Sequence, residues 1–373
     1  MALEIGLRLP MTAETPYYEA NRGIERFLTP DLGSLIQVPL NKALCPAVTR
    51  MHLLGLGAVE SWQQSALHLW AQETVSEELR ELLAWLRRSE DQHRSILVSY
   101  IDPETTPLET GLALEQTAVE WLSRLAMEEP DPYVRSAFEY LALEDLEHLR
   151  LFAQALDEVE GKSAELITQN QALLEPGRAV EHQHLSPIHT VKQPYDRHTV
   201  DPITRYHLHA LAALEAYKLD LYHQFLLRVR SRRLRELFAG IARLEEVHTS
   251  LLGSYFDPGE TVLERLVAQQ WSEWYHYCRL AAEEPDARVR GMLEMISHDE
   301  EEHVRLAAQA LSRYEGKDPA RLTQTRFFHQ RSTRPAADYL RELRQVQMGR
   351  RSVGKNWQQD NQIVVSPQLH AYH

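Results

Sequence analysis

Only two cysteines, Cys45 and Cys278, occur in 373 residues. That number excludes a disulfide framework and a thiolate zinc site, and it fits a reducing, cytoplasmic setting. Long apolar runs are missing as well, since none approaches the roughly 18 residues needed to span a bilayer. The opening MALEIGLRLPMTAETPYYEA has no basic stretch followed by an apolar core, so neither a signal peptide nor a membrane anchor is expected. Positive charge is in deficit: 40 Lys and Arg stand against 54 Asp and Glu, a formal net charge of -14. Nucleic acid is thereby disfavoured as a partner, because phosphate binding needs basic surface that releases counterions. No phosphate-cradling glycine loop and no convincing nucleophile triad is found. What remains is a globular composition, 43% apolar and 25% charged, long enough for two or three domains with cores of their own.

The chain repeats itself. LRELLAWLRRSEDQHRSILVSYIDP around Glu90 returns as LRELFAGIARLEEVHTSLLGSYFDP around Glu245, 155 residues later. The same offset carries RLAMEEPDPYVR onto RLAAEEPDARVR, and LEDLEHLRLFAQAL onto HDEEEHVRLAAQAL. It also pairs His52 with His207, Glu60 with Glu215, and His68 with His223. Apolar residues at helical spacing, broken by Asp-Pro and Ser start signals, give four helices per copy. The expected architecture is all-α: two tandem four-helix bundles, residues 46–158 and 201–313. An arm (1–45), a histidine-rich linker (159–200) and a basic helix with a polar tail (314–373) flank them.

Four acid-x-x-His motifs fall at matching places: Glu90/His93 and Asp145/His148 in the first copy, Glu245/His248 and Glu300/His303 in the second. Residues three apart share a helical face, so acid and imidazole reach a common point, an arrangement suited to a metal. Seven such spacings occur, against about two or three expected by chance. Glu181/His184, Asp220/His223 and Glu273/His276 are the other three, and solvated acidic faces would produce the same pattern. Position favours the first four, which lie mid-helix on the second and fourth helix of each copy. A two-metal site asks for a carboxylate from each remaining helix. Glu60 and Glu215 answer on the first helix, as lone acids among apolar residues that would be costly to bury without a cation. On the third helix, Glu115 fits the first copy although its counterpart is Gln270, while Glu273 is the nearest acid in the second, opposite Ala118. Glu120 is a fallback, and Glu109 and Glu264 lie too near the helix start.

Other paired residues read as structural: Trp62/Tyr217 and Tyr100/Tyr255 as core, His52/His207 and His68/His223 as interior or ligand-supporting histidines, and the arginines 228, 230, 232, 233 and 235 as a solvated turn.

EEVH, DEEEHVR and EDLEHLR resemble the motif helices of rubrerythrins and bacterial di-iron oxygenases, within the ferritin-like di-iron carboxylate superfamily. The resemblance covers about two thirds of the chain. It implies Glu60, Glu90, His93, Asp145 and His148 as ligands in the first copy, and Glu215, Glu245, His248, Glu300 and His303 in the second. The family bundle has a long crossover between its second and third helices, whereas Asp102–Pro107 and Asp257–Glu260 allow only short turns. A haem-oxygenase-like metal fold is the alternative, and one copy can be a degenerate scaffold. The better-placed Glu115 tips activity slightly towards the first copy. The implied cofactor is iron, two ions per bundle, with manganese as the alternative. The implied activity is a non-haem di-iron oxidase or oxygenase acting on O2 and a small organic substrate, with an external electron donor and a homo-oligomer left open. Metal handling, meaning ferroxidase activity or peroxide disposal, and a non-enzymatic helical interaction protein stabilised by metal are the competing readings.

Overall fold

Helix starts and stops are written into the sequence, and they recur at the repeat offset. In the computed structural model, which describes residues 36–177, 187–324, 332 and 334–352, every described regular element is helical. The first copy gives α1 (Ala47–Glu73), α2 (Glu77–Ser99), α3 (Pro107–Glu128) and α4 (Pro132–Glu160). Two one-turn helices follow, α5 (Glu165–Thr168) and α6 (Pro187–Thr190). The second copy gives α7 (Pro202–Arg228), α8 (Arg232–Gly253), α9 (Val262–Ala281) and α10 (Ala287–Glu315), then the one-turn α11 (Ala320–Thr323) and α12 (Ala336–Ser352). Ser76 and Ser231 cap α2 and α8. Thr106/Glu109 and Thr261/Glu264 close capping boxes on α3 and α9, satisfying backbone donors that a helix start leaves open. Glu109 and Glu264 are thus held at helix starts, away from any cluster of ligands. Asp131 and Asp286 cap α4 and α10, which end at Gly161 (φ 63°) and Gly316 (φ 62°) in the left-handed conformation glycine adopts without penalty. No described helix is long and apolar enough to cross a membrane.

Consecutive helices pair as four hairpins, α1/α2, α3/α4, α7/α8 and α9/α10. The inner helices α1, α3, α7 and α9 pack together at the centre, with α2, α4, α8 and α10 outside. The outer helices decide how hairpins combine, and they do so across the copies: α2 contacts α10, and α4 contacts α8. One apolar cluster, including Leu67, Trp70, Leu82, Leu86, Leu266, Leu311 and Leu322, joins α1 and α2 to α9, α10 and the one-turn α11. The two four-helix units are therefore α1, α2, α9, α10 and α3, α4, α7, α8, and they differ from the expected grouping of 46–158 and 201–313. Each unit borrows one hairpin from each copy.

The physical reason lies in reciprocal buried pairs that the offset repeats. Thr49 donates to Glu284 (2.6 Å), whose other oxygen lies 2.7 Å from His52 Nδ1; Thr204 and His207 bind Glu129 at the same 2.6 and 2.7 Å. Between the units, partly exposed Arg124 pairs with Glu283 at 2.7 Å and buried Arg279 with Glu128 at 2.5 Å. Each bond joins one copy to the other, and each has its mirror 155 residues on, so the hairpins are locked in exchange. His52 and His207 serve this junction, while His68 and His223 are exposed. The exchange also removes the topological objection. Within each unit the second and third helices are joined by a long connection: residues 161–201 in one, and the whole of α3 to α8 in the other. Glu181/His184, most of the arm and the tail beyond 352 lie outside the described residues.

Candidate metal centres

Each unit gathers one set of acids and imidazoles at its axis. Centre A takes Glu60 from α1, Glu90 and His93 from α2, Glu273 from α9, and Glu300 and His303 from α10, all no more than 1% exposed. Ligand atoms of Glu60, Glu90, His93 and Glu300 all lie within 4.8 Å of one another. His93 Nδ1 stands 2.8 Å from Glu300, 3.4 Å from Glu90 and 3.6 Å from Glu60. His303 Nδ1 stands 3.0 Å from Glu300 and 3.3 Å from Glu90. Both imidazoles thus turn the same nitrogen inward. Their outer nitrogens face Asp299 (3.4 Å) and Ser89 Oγ (3.0 Å), contacts that fix ring orientation. Gln270 donates to Glu90 (3.2 Å), and the Tyr277 hydroxyl donates to Glu60.

Centre B takes Glu115 from α3, Asp145 and His148 from α4, Glu215 from α7, and Glu245 and His248 from α8, all fully buried. His148 Nδ1 lies 3.0 Å from Glu245, and His248 Nδ1 3.1 Å from Glu215. The outer nitrogen of His248 faces Glu144 at 2.9 Å, mirroring His93 and Asp299 at the repeat offset. All twelve residues singled out in the sequence therefore reach one of two centres, but no centre belongs to one copy. Glu115, which tipped the expectation towards the first copy, shares its centre with Glu215, Glu245 and His248 of the second.

The electrostatics of centre A fit a cation. Burial pushes the Glu60 carboxyl well up, and the neighbouring Glu90 and Glu300 charges add to it. Glu273 is raised for the same reasons, with Glu90 and Glu300 its strongest neighbours. Burial also opposes ionisation of Glu90, yet the His303 and His93 imidazoles outweigh it and hold that carboxyl low. Against burial, Glu300 and Glu90 raise His303 to about 10 and raise His93 too. Two buried oxygens, Glu60 Oε2 and Glu273 Oε1, accept no hydrogen bond. Among the described residues no Lys or Arg pairs with any of these acids. Buried carboxylates with open lone pairs and no Lys or Arg among them, beside imidazoles whose inward proton a metal can displace, are the donor set a divalent ion satisfies, and mixed oxygen and imidazole ligation suits iron, manganese or zinc.

Centre B holds a residue that the search for acids and histidines passed over. Lys218, fully buried on α7, sets its ammonium 2.9 Å from Asp145, 3.0 Å from Glu215, 3.1 Å from Glu115 and 3.2 Å from Glu245. Although burial opposes its charge, Asp145, Glu115, Glu215 and Glu245 raise its pKa well above the usual lysine range. Tyr222, one turn on, donates to Glu115 at 2.5 Å. Spacing gave a hint: Lys218 follows Glu215 by three residues, on the same helix face, in an apolar stretch.

No family model, no curated protein and no solved structure matches this chain. The buried acid and histidine groups, on helices ordered with a long second-to-third connection, are compatible with a ferritin-like di-iron fold.

Proposed function

We propose that centre A is a two-metal site, occupied by iron, at which the protein reduces O2 to oxidise a small organic substrate. The observation that carries this reading is the set of four buried carboxylates and two inward-facing imidazoles with no Lys or Arg among them. Glu60, Glu90, Glu273 and Glu300 would hold the ions through oxygen, with His93 and His303 as nitrogen donors. When bound, a ferrous pair supplies the electrons for O2 reduction. The chain does the rest. Burial keeps bulk water from the site, Asp299 and Ser89 hold the imidazole rings in place, and Gln270 orients Glu90. Tyr277 keeps a proton at its phenolic oxygen, because burial and the Glu60 charge hold its pKa far above the usual tyrosine range, so the hydroxyl donates to Glu60.

Anaerobic loading with ferrous iron, followed by O2-uptake measurements with and without a reductant, tests the reading. Iron bound at about two per centre, lost in His93→Ala, with O2 consumed in a reductant-dependent manner, is the expected result. Iron taken up and oxidised once, without further turnover, would favour metal handling. No binding at all would sink the proposal.

A further inference from the structure

The two centres are built on one plan yet differ at two places, and the differences concern charge. The Lys218 counterpart 155 residues earlier is Gln63, fully buried on α1, three residues after Glu60, with neither amide atom hydrogen-bonded. The Glu115 counterpart is Gln270, beside Glu90 in centre A. Glu273 restores the fourth acid there, where centre B has the buried Ala118. Each centre ends with four carboxylates and two imidazoles, and only centre B has an ammonium as well.

We propose that the Lys218 ammonium is the resident cation of centre B, so that this centre stays closed to metal and the chain carries one metal centre rather than two. The geometry is that of a cation in a cage: one oxygen from each of α3, α4, α7 and α8 surrounds the nitrogen at 2.9–3.2 Å. A divalent ion draws carboxylate oxygens in to about 2.0–2.2 Å. It cannot share this cage with a fixed positive charge about 3 Å from the same oxygens, because the two cations would repel at close range with little water between them. Donor atoms alone do not separate the centres, since Asp145 Oδ1 and Glu215 Oε1 of centre B also accept no hydrogen bond. The ammonium separates them.

A consequence follows for folding. Centre B closes its unit without metal, and α3 and α7 of that unit pack against α1 of the other. A permanently compensated centre B therefore keeps the inner layer in place while centre A exchanges its ions.

The inference rests on centre A being the metal site, so the experiment reports on each separately. Full-length protein and its variants are loaded anaerobically with ferrous iron, and in parallel with manganous ion, and metal per chain is counted after desalting. Wild type should hold about two ions. Lys218→Gln, which copies the Gln63 of centre A, should rise to three or four, and its urea midpoint without metal should fall below wild type and recover on loading. Wild type holding four ions, or folded Lys218→Gln remaining at two, overturns the proposal. Should Lys218→Gln fail to fold even with metal, Gln63→Lys decides: helical protein that has lost its ions supports lysine as the excluding cation, and retention of two overturns it. Wild type holding no metal sinks the reading of centre A, and Lys218→Gln must then still gain ions for this proposal to stand.

Discussion

The exchange of hairpins makes a quantitative claim about which histidines feel one another. His93 and His303 come from different copies, yet their rings are 5.7 Å apart and they share both Glu300 and Glu90, at 2.8–3.4 Å. His93 and His148 come from the same copy and share no carboxylate. A hydrogen bond to a charged group contributes about 1.5–3 kcal/mol. Removing one imidazole leaves Glu300 and Glu90 with the other, whereas removing both strips the two acids of their last imidazole. His93→Ala and His303→Ala should therefore depart from additivity by about 1–3 kcal/mol, while His93→Ala and His148→Ala should add within about 0.5 kcal/mol. Urea unfolding of metal-free protein at pH 7, run on the singles and both doubles, measures the two coupling energies. The iron count is a second readout: the His93/His303 double should lose no more metal than either single. Coupling between His93 and His148 with additivity between His93 and His303 would refute the exchanged arrangement and restore one site per copy.

Further outcomes follow from the same geometry. His303 is raised to about 10 by Glu300 and Glu90 against the opposing effect of burial, from an ordinary 6.5. Its protonated form thus stabilises the metal-free fold fully below pH ~6.5, and that contribution fades as pH climbs towards 10; a urea midpoint that is flat or rising across this window would contradict it. Glu284→Gln and Glu129→Gln each weaken one of two mirrored junctions, so each should cost about 1–3 kcal/mol in urea unfolding, and the two costs should agree within about 0.5 kcal/mol; a large difference would mean that the junctions are not equivalent. A Cβ at Gly55 would stand 2.2 Å from the Trp121 ring, whereas one at Gly57 meets nothing within 4 Å. Gly55→Ala should destabilise by about 1–3 kcal/mol, and Gly57→Ala should stabilise by about 0.5–1 kcal/mol, read from thermal and urea melts. Equal effects would deny the close approach of α1 to α3.

Local chemistry made much of this protein legible in one dimension. Ser76, Thr106 with Glu109, Asp131, Gly161 and their repeats fix helix ends through backbone hydrogen bonds within a few residues, so helix bounds and the all-α class follow from the sequence. The acid-x-x-His spacing places two side chains on one face whatever the helix packs against. A lone Glu60 or Glu215 among apolar neighbours must be buried with something cationic, and that too is a local inference. Which hairpin faces which is not local. Copies 155 residues apart present nearly identical faces, so helical periodicity cannot say whether a hairpin packs on its own copy or on the other. The choice is made by pairs remote in sequence, such as His52 with Glu284 and His207 with Glu129, which join hairpins of different copies within one unit. Lys218 belongs to the same class: a lysine on a helix is ordinarily solvated, and only the convergence of four helices turned its ammonium into the centre of an acidic cage.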